Sequence, residues 1–374
     1  MRGAGFAGGG RVRLLVLCTS PGLGGLELYA EREWQHLTAA GWSCHFAIAR
    51  RGRLAQRNAQ QGRNVLLLPQ GDGLLPLAAA RRLARYIDSQ GIDVMHMHWG
   101  RELRLAALAK RLSRRRPKLV YSRHMGITRP KKDLLHRFLY RQVDRLLAIS
   151  KQVQREARRF LPLAEEQIRL LYLGVADRSV TGPDCEPVPG TIRQRPFRIA
   201  LFGRIEHGKG QHVLIEALQQ FIGTGREAGA LLVGQIMDAR YFEKLQGQIG
   251  AAGLSGHVER RDFLDNPMAV MPCFDVVVLT TLCETFGLVL VEAMRAGVAV
   301  IGTDAGGVPE IIEHEKSGLL VPPGDAAALA SALARLYDDP ALKQRLAAAG
   351  KARADQMFDS KRHFQRLEAE LESL

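Results

Sequence analysis

Long apolar runs are missing from this 374-residue sequence, in which no stretch reaches the roughly 18 apolar residues that a membrane-spanning helix requires. Residues 1–10 are rich in glycine and have a single Arg and no apolar core segment, so we do not expect a secretory signal there. A chain of this length exceeds what one hydrophobic core usually organises, which predicts two domains. These absences favour a cytoplasmic globular protein.

Cysteine is also scarce. The five cysteines are widely spaced and include no Cys-x-x-Cys pair. Neither a disulfide framework nor a zinc site is therefore expected, and a reducing compartment fits this pattern best. Because no Asp-x-Asp occurs either, we expect no metal site.

Acidic residues are under-represented in the first part of the chain. Residues 1–150 contain 27 Lys and Arg against 9 Asp and Glu, and the remainder contains 26 against 29. The overall net charge of +15 therefore arises from the first part. This asymmetry indicates an anionic partner there, such as nucleic acid, acidic lipid headgroups or an anionic acceptor. A genome that favours Arg is an equally good explanation for part of it.

Short apolar runs alternate with helix-length segments along the whole chain. This pattern predicts an α/β protein with two Rossmann-like, doubly wound domains facing across a cleft, and ligands at the carboxyl ends of the strands. We expect a first domain over 1–180, a linker rich in Pro and Gly over 181–196, a second domain over 197–355, and a helix over 356–374 that packs back toward the first domain. Strands are predicted at 12–17, 46–49, 65–68, 94–97, 118–122, 146–149, 198–202, 230–233, 276–280 and 298–303, and the two closing helices at 326–337 and 361–374.

Two glycine-containing loops follow predicted strands and precede predicted helices. In the first, Gly24 and Gly25 would let backbone N–H groups approach an anion at a helix start, where the helix dipole favours negative charge. Its spacing is not that of a dinucleotide fingerprint, and a plain strand-to-helix turn explains it too. In the second, Arg204 and Lys209 could hold a diphosphate, Arg through two hydrogen bonds and Lys as a point charge.

Two glutamates eight positions apart form the most informative motif. Glu284 is predicted in a strand-to-helix loop and Glu292 in the helix that follows. Eight helical residues would separate them by about 12 Å, which exceeds the roughly 5–9.5 Å between the paired carboxylates of a glycosidase. The spacing suits carboxylates that accept hydrogen bonds from hydroxyls at two ends of one ligand. A capping or salt-bridging role is the structural alternative.

A third glycine loop and three histidines complete the candidate site. Gly306 and Gly307 follow a predicted strand and could offer backbone amides to a sugar hydroxyl or a phosphate. His96 and His98 share one strand face, where a metal pair is conceivable but has no evident third ligand. His124 closes another strand at the ligand-bearing end. One of the three histidines is expected to be a satisfied structural group, and His124 has the better position for the cleft.

Taken together and in this order, these motifs resemble glycosyltransferase family 4. The resemblance covers nearly the whole chain and rests on Gly24-Gly25-x-Glu27, Arg204 with Lys209, Glu284-x7-Glu292 and Gly306-Gly307-x-Pro309-Glu310. It implies the GT-B fold, in which two Rossmann-like domains hold the active site between them, and a retaining glycosyltransferase that needs no metal. The family often has Asn-Gly-Val-Asp before the linker, and the sequence here is Gly174-Val175-Ala176-Asp177.

The resemblance implies roles for the matching residues of the second domain. Arg204 and Lys209 would neutralise the leaving nucleoside diphosphate in place of a metal ion. Glu292 would hold the ribose hydroxyls, and Glu284 would hold the donor sugar. Retention would proceed by front-face attack, in which a donor phosphate oxygen takes the acceptor proton, so no protein nucleophile would be needed.

Backbone amides and one histidine complete the implied donor site. Amides around Phe286 and Gly287 would contact the sugar, and those of Gly306 and Gly307 would add to donor binding. Gly24 and Gly25 would place amides near the phosphates. His124 would approach the hydroxymethyl group or the reacting face of the sugar.

The implied donor is a nucleotide sugar, on family frequency a UDP-sugar, and no other cofactor is expected. The charge asymmetry favours an anionic cell-envelope glycan or lipid-linked acceptor, such as lipopolysaccharide core. A nucleotide-sugar 2-epimerase of the same fold is one alternative, against which the spacing of Glu284 and Glu292 argues. A nucleic-acid-binding protein is another, weakened by 6% aromatic residues and the lack of an RNA-recognition signature.

The basic segment 131–150 allows two interpretations. Five apolar residues fall at helical spacing there: Leu134, Leu135, Phe138, Leu139 and Val143. A domain helix would bury this face against its own core and solvate the surrounding charges. The alternative is a surface that docks on anionic membrane or on a phosphorylated lipid-linked glycan, at the inner face of the cytoplasmic membrane.

Overall fold

A computed structural model of the chain describes residues 12–58, 64–69, 76–176, 185–264 and 266–374. The chain divides into a first unit, Met1–Tyr172 with His363–Leu374, and a second unit, Leu173–Arg362. Each unit is built around one parallel sheet, as predicted. The glycine-rich residues 1–10 and part of the predicted linker, residues 181–184, lie outside the described residues.

Seven parallel strands form the sheet of the first unit: β1 Arg13–Cys18, β2 Ser43–Ala49, β3 Val65–Leu68, β4 Val94–Met97, β5 Lys118–Arg123, β6 Arg145–Ala148 and β7 Ile168–Leu170. Their order is β3-β2-β1-β4-β5-β6-β7. In register, Leu14 of β1 pairs with Cys44 on one side and with Val94 on the other. The strand order therefore reverses between β1 and β4, and ligands of open α/β sheets bind at such a switch point.

Among the described residues of this unit, six α-helices connect these strands: α1 Gly25–Ala39, α2 Arg53–Asn58, α3 Leu77–Gln90, α4 Leu103–Leu112, α5 Leu134–Tyr140 and α6 Lys151–Phe160. Helix α1 packs its apolar face into the core through Ala30, Trp34 and Leu37, and the Trp34 ring stacks on Phe46 of β2 at 5.2 Å. Helix α5 ends at Tyr140, so the spacing in segment 131–150 yields a seven-residue helix followed by β6.

Six parallel strands form the sheet of the second unit: β8 Arg198–Phe202, β9 Gly229–Val233, β10 Val258–Arg261, β11 Val276–Leu279, β12 Ala299–Thr303 and β13 Leu319–Val321. Their order is β10-β9-β8-β11-β12-β13, which places the switch point between β8 and β11. Every residue of β9 and β11 is buried. Because successive side chains point to opposite faces, both faces of this sheet are covered.

The helices of the second unit are α7 Gly190–Arg193, α8 Gln211–Gly223, α9 Ala239–Ala251, α10 Pro267–Val270, α11 Leu288–Arg295, α12 Val308–Ile311, α13 Ala326–Asp338 and α14 Pro340–Met357. The 18-residue α14 was not predicted, and three helices rather than two close the chain. Residues 185–196 of the predicted linker fold into this unit, since Val188 and Ile192 are fully buried.

The last helix, α15 Ser360–Glu372, contributes to the core of the first unit. Its residues Phe364, Leu367 and Leu371 belong to the same buried cluster as Leu14 and Ile48. Within the described ranges, no helix combines the length and apolar content that crossing a bilayer demands.

A disulfide bond joins Cys185 and Cys273, although the cysteine pattern had predicted no disulfide framework. It joins Cys185, which precedes α7, to a short 3₁₀ helix that ends at Cys273, 88 residues later. No local pattern indicated this pair, because the two residues are far apart in the chain and meet only in the tertiary fold. Cys18 and Cys44 are buried thiols, and Cys283 is an exposed thiol.

Candidate active site

The loops after β8 and β11 are tied together at the switch point of the second sheet. Thr280 and Thr281 donate hydroxyl hydrogen bonds to the carbonyl oxygens of Lys209 and Gly208, each at 3.0 Å. Gly210 has a left-handed φ of +70°, and a Cβ at this position would lie 2.0 Å from the Thr280 carbonyl oxygen. Glycine is therefore required for the two loops to approach this closely.

The loop after β12 joins the same group. The backbone N–H of Gly307 donates to the carbonyl oxygen of Glu284 at 2.8 Å. A Cβ at Gly307 would lie 2.4 Å from the carbonyl oxygen of Thr285, so a side chain there would push the loops apart. Gly306 precedes it with a φ of +68°. Three neighbouring loops at the carboxyl ends of β8, β11 and β12 thus form one connected surface in this unit.

Lys209 and Glu284 form an ion pair on this surface, with Lys209 Nζ 2.7 Å from Glu284 Oε2. Both side chains are half-buried. Arg204 is more exposed and pairs with Glu206, 2.8 Å away. The structure therefore brings Lys209 and Glu284 into direct contact, whereas the sequence had suggested only that both face one ligand.

The predicted residues around α11 have different environments. Glu284 lies in the loop and Glu292 is half-buried in α11, as predicted, but the helix begins at Leu288, so only part of the separation between the two glutamates is helical. The ring of Phe286 is buried against Phe358, with ring centroids 5.6 Å apart. A ligand would therefore meet the backbone of Phe286 and Gly287 rather than the aromatic ring.

The first glycine loop lies in the first unit, at the start of α1. Glu27 accepts a hydrogen bond from the backbone N–H of Gly24 at 2.8 Å and another from the Ser20 hydroxyl, and so caps the helix. A Cβ added to Gly25 would meet no described atom within 4 Å. Packing within this unit does not demand glycine at position 25, whereas the close approach of a ligand would.

The three histidines lie together in the first unit. His124 directly follows β5, and its Nε2 is 3.2 Å from Nδ1 of His98. His96 uses both ring nitrogens, Nδ1 toward Glu33 Oε1 at 2.6 Å and Nε2 toward Ser122 Oγ at 2.8 Å. His96 is therefore the structural group that the sequence predicted among the three. His124 is buried in this unit.

Burial governs the charges in this cluster. Burial lowers the pKa of His98, and burial together with the neighbouring His98 and His96 lowers the pKa of His124 well below its ordinary value. Burial alone would raise the pKa of Glu33, but the charges and hydrogen bonds of His96 and His98 outweigh it and hold this pKa below its usual range. His98 and His124 are therefore neutral at neutral pH.

Glu33 is the main residue that sequence reasoning missed. Glu33 is the third potential metal ligand that was not evident beside His96 and His98. One potential metal-binding atom of each of the three side chains lies within 4.8 Å of those of the other two. A signal was present in the sequence, because Glu33 falls on the helical face defined by Ala30 and Leu37. A carboxylate on a buried helix face needs a partner, and here the partners are the histidines.

Glu102 is a second missed carboxylate. It is buried at the start of α4 and accepts hydrogen bonds from the backbone N–H groups of Thr19 and Trp99, in the loops after β1 and β4. Burial raises the pKa of Glu102 to about 8. Glu102 thus links the two loops at the switch point of the first sheet.

A basic cavity of about 520 Å³ opens at the carboxyl ends of β2 and β3. Its described lining residues include four arginines and no acidic side chain: Pro21, Ala49, Arg50, Arg51, Gly52, Pro69, Ala78, Arg82 and Arg85. Pro21 belongs to the same loop as the glycines at the start of α1. The sequence predicted the positive charge of this region but not its concentration at one cavity.

Two family models match the chain, Glycosyltransferase Family 4 over residues 23–178 and Glycosyl transferases group 1 over residues 187–353. The chain is 30% identical to the alpha-D-kanosaminyltransferase of Streptomyces kanamyceticus over 229 residues, which are 59% of this chain and 58% of that protein. It is 26% identical to the N-acetyl-alpha-D-glucosaminyl L-malate synthase of Bacillus anthracis over 76% of each chain.

Among solved structures, the Anabaena protein HepE in complex with UDP and glucose superposes with a TM-score of 0.83 at 24% identity. The match covers 97% of this chain and 100% of that one. At this level of identity the likeness establishes the fold. The two family models together span both units.

Proposed function

Because the chain belongs to glycosyltransferase family 4 and has the GT-B fold, we propose that it moves a sugar from a nucleotide sugar to an anionic acceptor with retention of configuration. The observation behind this proposal is the contact between Lys209 and Glu284 at the switch point of the second sheet. A nucleoside diphosphate sugar offers the complementary groups, phosphate oxygens for the ammonium and sugar hydroxyls for the carboxylate.

The chemistry follows from these charges. The bond between the anomeric carbon and the donor phosphate oxygen breaks, the acceptor oxygen bonds to the same face of that carbon, and the acceptor proton passes to a phosphate oxygen. Lys209 and Arg204 stabilise the negative charge that develops on the leaving diphosphate, the role a metal ion would otherwise have. Glu284 is held by Lys209 at 2.7 Å, which favours binding of hydroxyls over nucleophilic attack.

UDP is the proposed nucleotide. The superposed HepE structure contains UDP and glucose, and this supports a UDP-sugar as the first donor to be tested. Glu292 would hold the ribose hydroxyls, and the amides of Gly24, Gly25, Gly306 and Gly307 would contact phosphates or sugar. His124 would lie against the reacting sugar.

The basic cavity of the first unit supports an anionic acceptor. Arg82 and Arg85 lie three residues apart on α3 and so point to the same side of that helix, and Arg50 and Arg51 follow β2. Guanidinium groups bind phosphate and carboxylate through paired hydrogen bonds. A phosphorylated or acidic envelope glycan, such as lipopolysaccharide core, is the acceptor class we propose for this cavity.

The exposed part of α5 supports peripheral contact with anionic membrane. Leu139 and Val143 are buried, but Leu134 is 85% exposed, Leu135 46% and Phe138 41%. The apolar face is therefore buried only in part. Apolar side chains with Lys131, Lys132, Arg137 and Arg141 in the same segment suit insertion at a headgroup boundary rich in acidic lipid, and a cytoplasmic enzyme would meet such a surface at the inner leaflet.

The decisive experiment incubates the full chain with a panel of nucleotide sugars and follows the products by NMR. We expect slow release of nucleoside diphosphate, with the free sugar appearing first in the donor's anomeric configuration. Lys209→Ala should reduce this release by about 10²–10³, and Lys244→Ala, at an exposed lysine of α9, should leave it unchanged.

Other products would contradict the proposal. Accumulation of a nucleotide-linked epimer would assign the chain to the 2-epimerases of this fold, and release of the opposite anomer would exclude retention. A gel-shift titration at about 0.15 M salt tests the nucleic-acid alternative, for which tight binding would be required.

A further inference from the structure

A buried arginine ends β5 in the first unit. Arg123 is only 8% exposed, and its guanidinium carries five N–H donors. Nη1 donates to the hydroxyl oxygen of Tyr121, and Nη2 donates to the carbonyl oxygen of Gly126 at 2.8 Å. Nε is buried and has no acceptor among the described atoms. Both acceptors are neutral, so no described carboxylate pairs with the charge of Arg123.

The loop after β4 lies directly against this guanidinium. A Cβ added to Gly100 would lie 2.8 Å from Nη1 of Arg123 and 2.8 Å from the hydroxyl oxygen of Tyr121, so glycine is needed for the arginine to occupy this position. A buried N–H without an acceptor and a buried charge without a counter-charge both cost free energy. An external anion that reached the guanidinium would recover this free energy.

Two further cations follow in the loop after β5. Arg129 is exposed and Lys131 is half-buried, and neither forms an ion pair with a carboxylate of the described chain. Burial lowers the pKa of Lys131, and the positive charges of Arg123 and Arg129 lower it further. The three cations are therefore close enough to repel one another. A bound anion would relieve this repulsion.

Helix α6 holds this loop at two points. The carboxylate of Glu156 accepts a hydrogen bond from the backbone N–H of the buried Ile127 at 2.6 Å, and the backbone N–H of Lys131 donates to the carbonyl oxygen of the last residue of α6 at 2.9 Å. Glu156 also accepts from Gln152 at 2.9 Å, and its charge acts on Arg123 without direct contact. Because the loop is already ordered, binding an anion there costs little conformational entropy.

We propose that the segment 123–131 is a phosphate-binding site, in which Arg123, Arg129 and Lys131 contact a phosphate group of the acceptor. Arginine offers paired donors to phosphate, and lysine adds a point charge. The site is distinct from the arginine cavity, because β1 and β4 separate β2 from β5 and place their ends about 14 Å apart. One phosphate cannot reach both places. The link to the acceptor rests on the function proposed above, whereas phosphate binding depends only on the first unit.

Phosphate binding can be measured without donor or acceptor. In the full chain labelled with 15N-arginine, Arg123→Lys assigns the Nε–H signal of Arg123, and inorganic phosphate is titrated at constant ionic strength. We expect a saturable shift of this signal. The double variant Arg129→Gln, Lys131→Gln should weaken the apparent affinity by about tenfold, because two of three charge-assisted contacts are lost. Arg169→Gln, at an exposed position of β7, should bind as the parent does.

Three results of this titration would overturn the site. They are an Arg123 signal that phosphate does not move, a shift that never saturates, and unchanged affinity in the double variant.

Lipid headgroups also carry phosphate, and vesicles separate this source from a glycan. Since Arg123 is almost completely buried, Arg123→Gln should pellet with phosphatidylglycerol vesicles as the parent does. Loss of pelleting in a variant that melts like the parent would assign the phosphate to lipid and contradict the acceptor.

Transfer assays test the link to the acceptor. With a UDP-sugar and lipopolysaccharide core oligosaccharide, the double variant should raise the acceptor KM by about tenfold and change the donor KM by less than about threefold. It should have no effect on the KM of oligosaccharide whose phosphates have been removed. An equal rise for both forms would contradict binding of the acceptor phosphate. If the chain transferred no sugar, the phosphate titration would still decide whether the site exists, so the two failures are distinguishable.

Discussion

Glu292 offers a single-residue test of nucleotide binding, since it lies half-buried in the helix that follows the Glu284 loop. Glu292→Gln keeps the side-chain shape and removes the charge that would accept hydrogen bonds from a ribose diol. We expect UDP binding, measured by calorimetry, to weaken by about 1–3 kcal/mol. Glu243→Gln, at an exposed position of α9, is the control and should bind normally. Equal affinity for a folded Glu292→Gln variant would exclude the ribose role.

Arg204 and Lys209 test the mechanism of charge stabilisation. Removing either cation should reduce turnover by about 10²–10³, since each would stabilise charge that develops on the leaving diphosphate. We expect the same activity with and without EDTA in the assay of the unsubstituted enzyme. A strict requirement for Mg²⁺ or Mn²⁺ would refute the metal-independent mechanism.

Glu102 makes the stability of the first unit depend on pH. Its pKa of about 8 in the folded protein lies above the ordinary 4.5 of an exposed glutamate, so the folded state holds the proton more tightly than the unfolded state. The stability from this group is fully present below pH 4.5 and is lost as the pH rises to about 8. We expect Glu102→Gln to remove this decline.

The measurement is the melting temperature of both proteins from pH 5 to pH 9, and the pH slope is the result to compare. Glu102→Gln also disturbs the hydrogen bonds from the backbone N–H groups of Thr19 and Trp99. This disturbance lowers the melting temperature by the same amount at every pH, so it does not change the slope of melting temperature against pH. Parallel curves for the two proteins would show that Glu102 does not titrate in this range.

At the scale of elements, the disulfide bond attaches the segment before α7, at Cys185, to the segment before β11, at Cys273. Without reductant, we expect one fast-reacting thiol in the native protein, Cys283, and three in denaturant, because Cys185 and Cys273 are joined. Reduction should raise the denatured count to five. A disulfide typically contributes about 2–4 kcal/mol, so reductant should also lower the melting temperature. Five reactive thiols in unreduced, denatured protein would mean that the bond does not form.

Buried apolar strands were predictable because their composition alone identifies them. The predictions for β3, β4 and β8 have the observed bounds, and β9 and β11 differ by one residue. Strand β10 was missed because it reads Val-Glu-Arg-Arg, and β7 and β13 because three residues give no periodicity. These strands are specified by pairing with a neighbour, which a single sequence does not reveal.

The candidate site divides in the same way. The Gly-containing loops, Glu284 and Lys209 could be proposed from the sequence because motif spacing and a position after strands indicate ligand binding. The contact between Lys209 and Glu284 joins positions 75 apart, and that between Glu33 and His96 joins positions 63 apart. Such contacts depend on how strands order themselves in a sheet, so they could not be read from local patterns.

At the scale of the whole molecule, the excess positive charge predicts salt-sensitive binding to anionic membranes. Vesicles containing phosphatidylglycerol should pellet the protein at low salt, and phosphatidylcholine vesicles should not, because each basic residue near the surface contributes about 1 kcal/mol. Raising the salt should release the protein as screening increases.

Exchange of Phe138 for Ser in α5 should weaken this binding, and exchange of Met237 for Ser, at a more exposed apolar residue of the second unit, should not. Equal pelleting with both lipids, or none with either, would contradict electrostatic membrane binding. The excess positive charge would then be explained by acceptor binding alone.

The pairing of Tyr29 with His363 has a consequence for how the protein is made. The two residues are 334 positions apart, although both belong to the first unit. A ribosome releases the strands and helices of that unit early, but their core still lacks Phe364, Leu367 and Leu371. The core of the first unit therefore stays incomplete until the entire second unit has been synthesised. Nascent chains that end before His363 lack the partner of the Tyr29 hydroxyl as well as these three core residues.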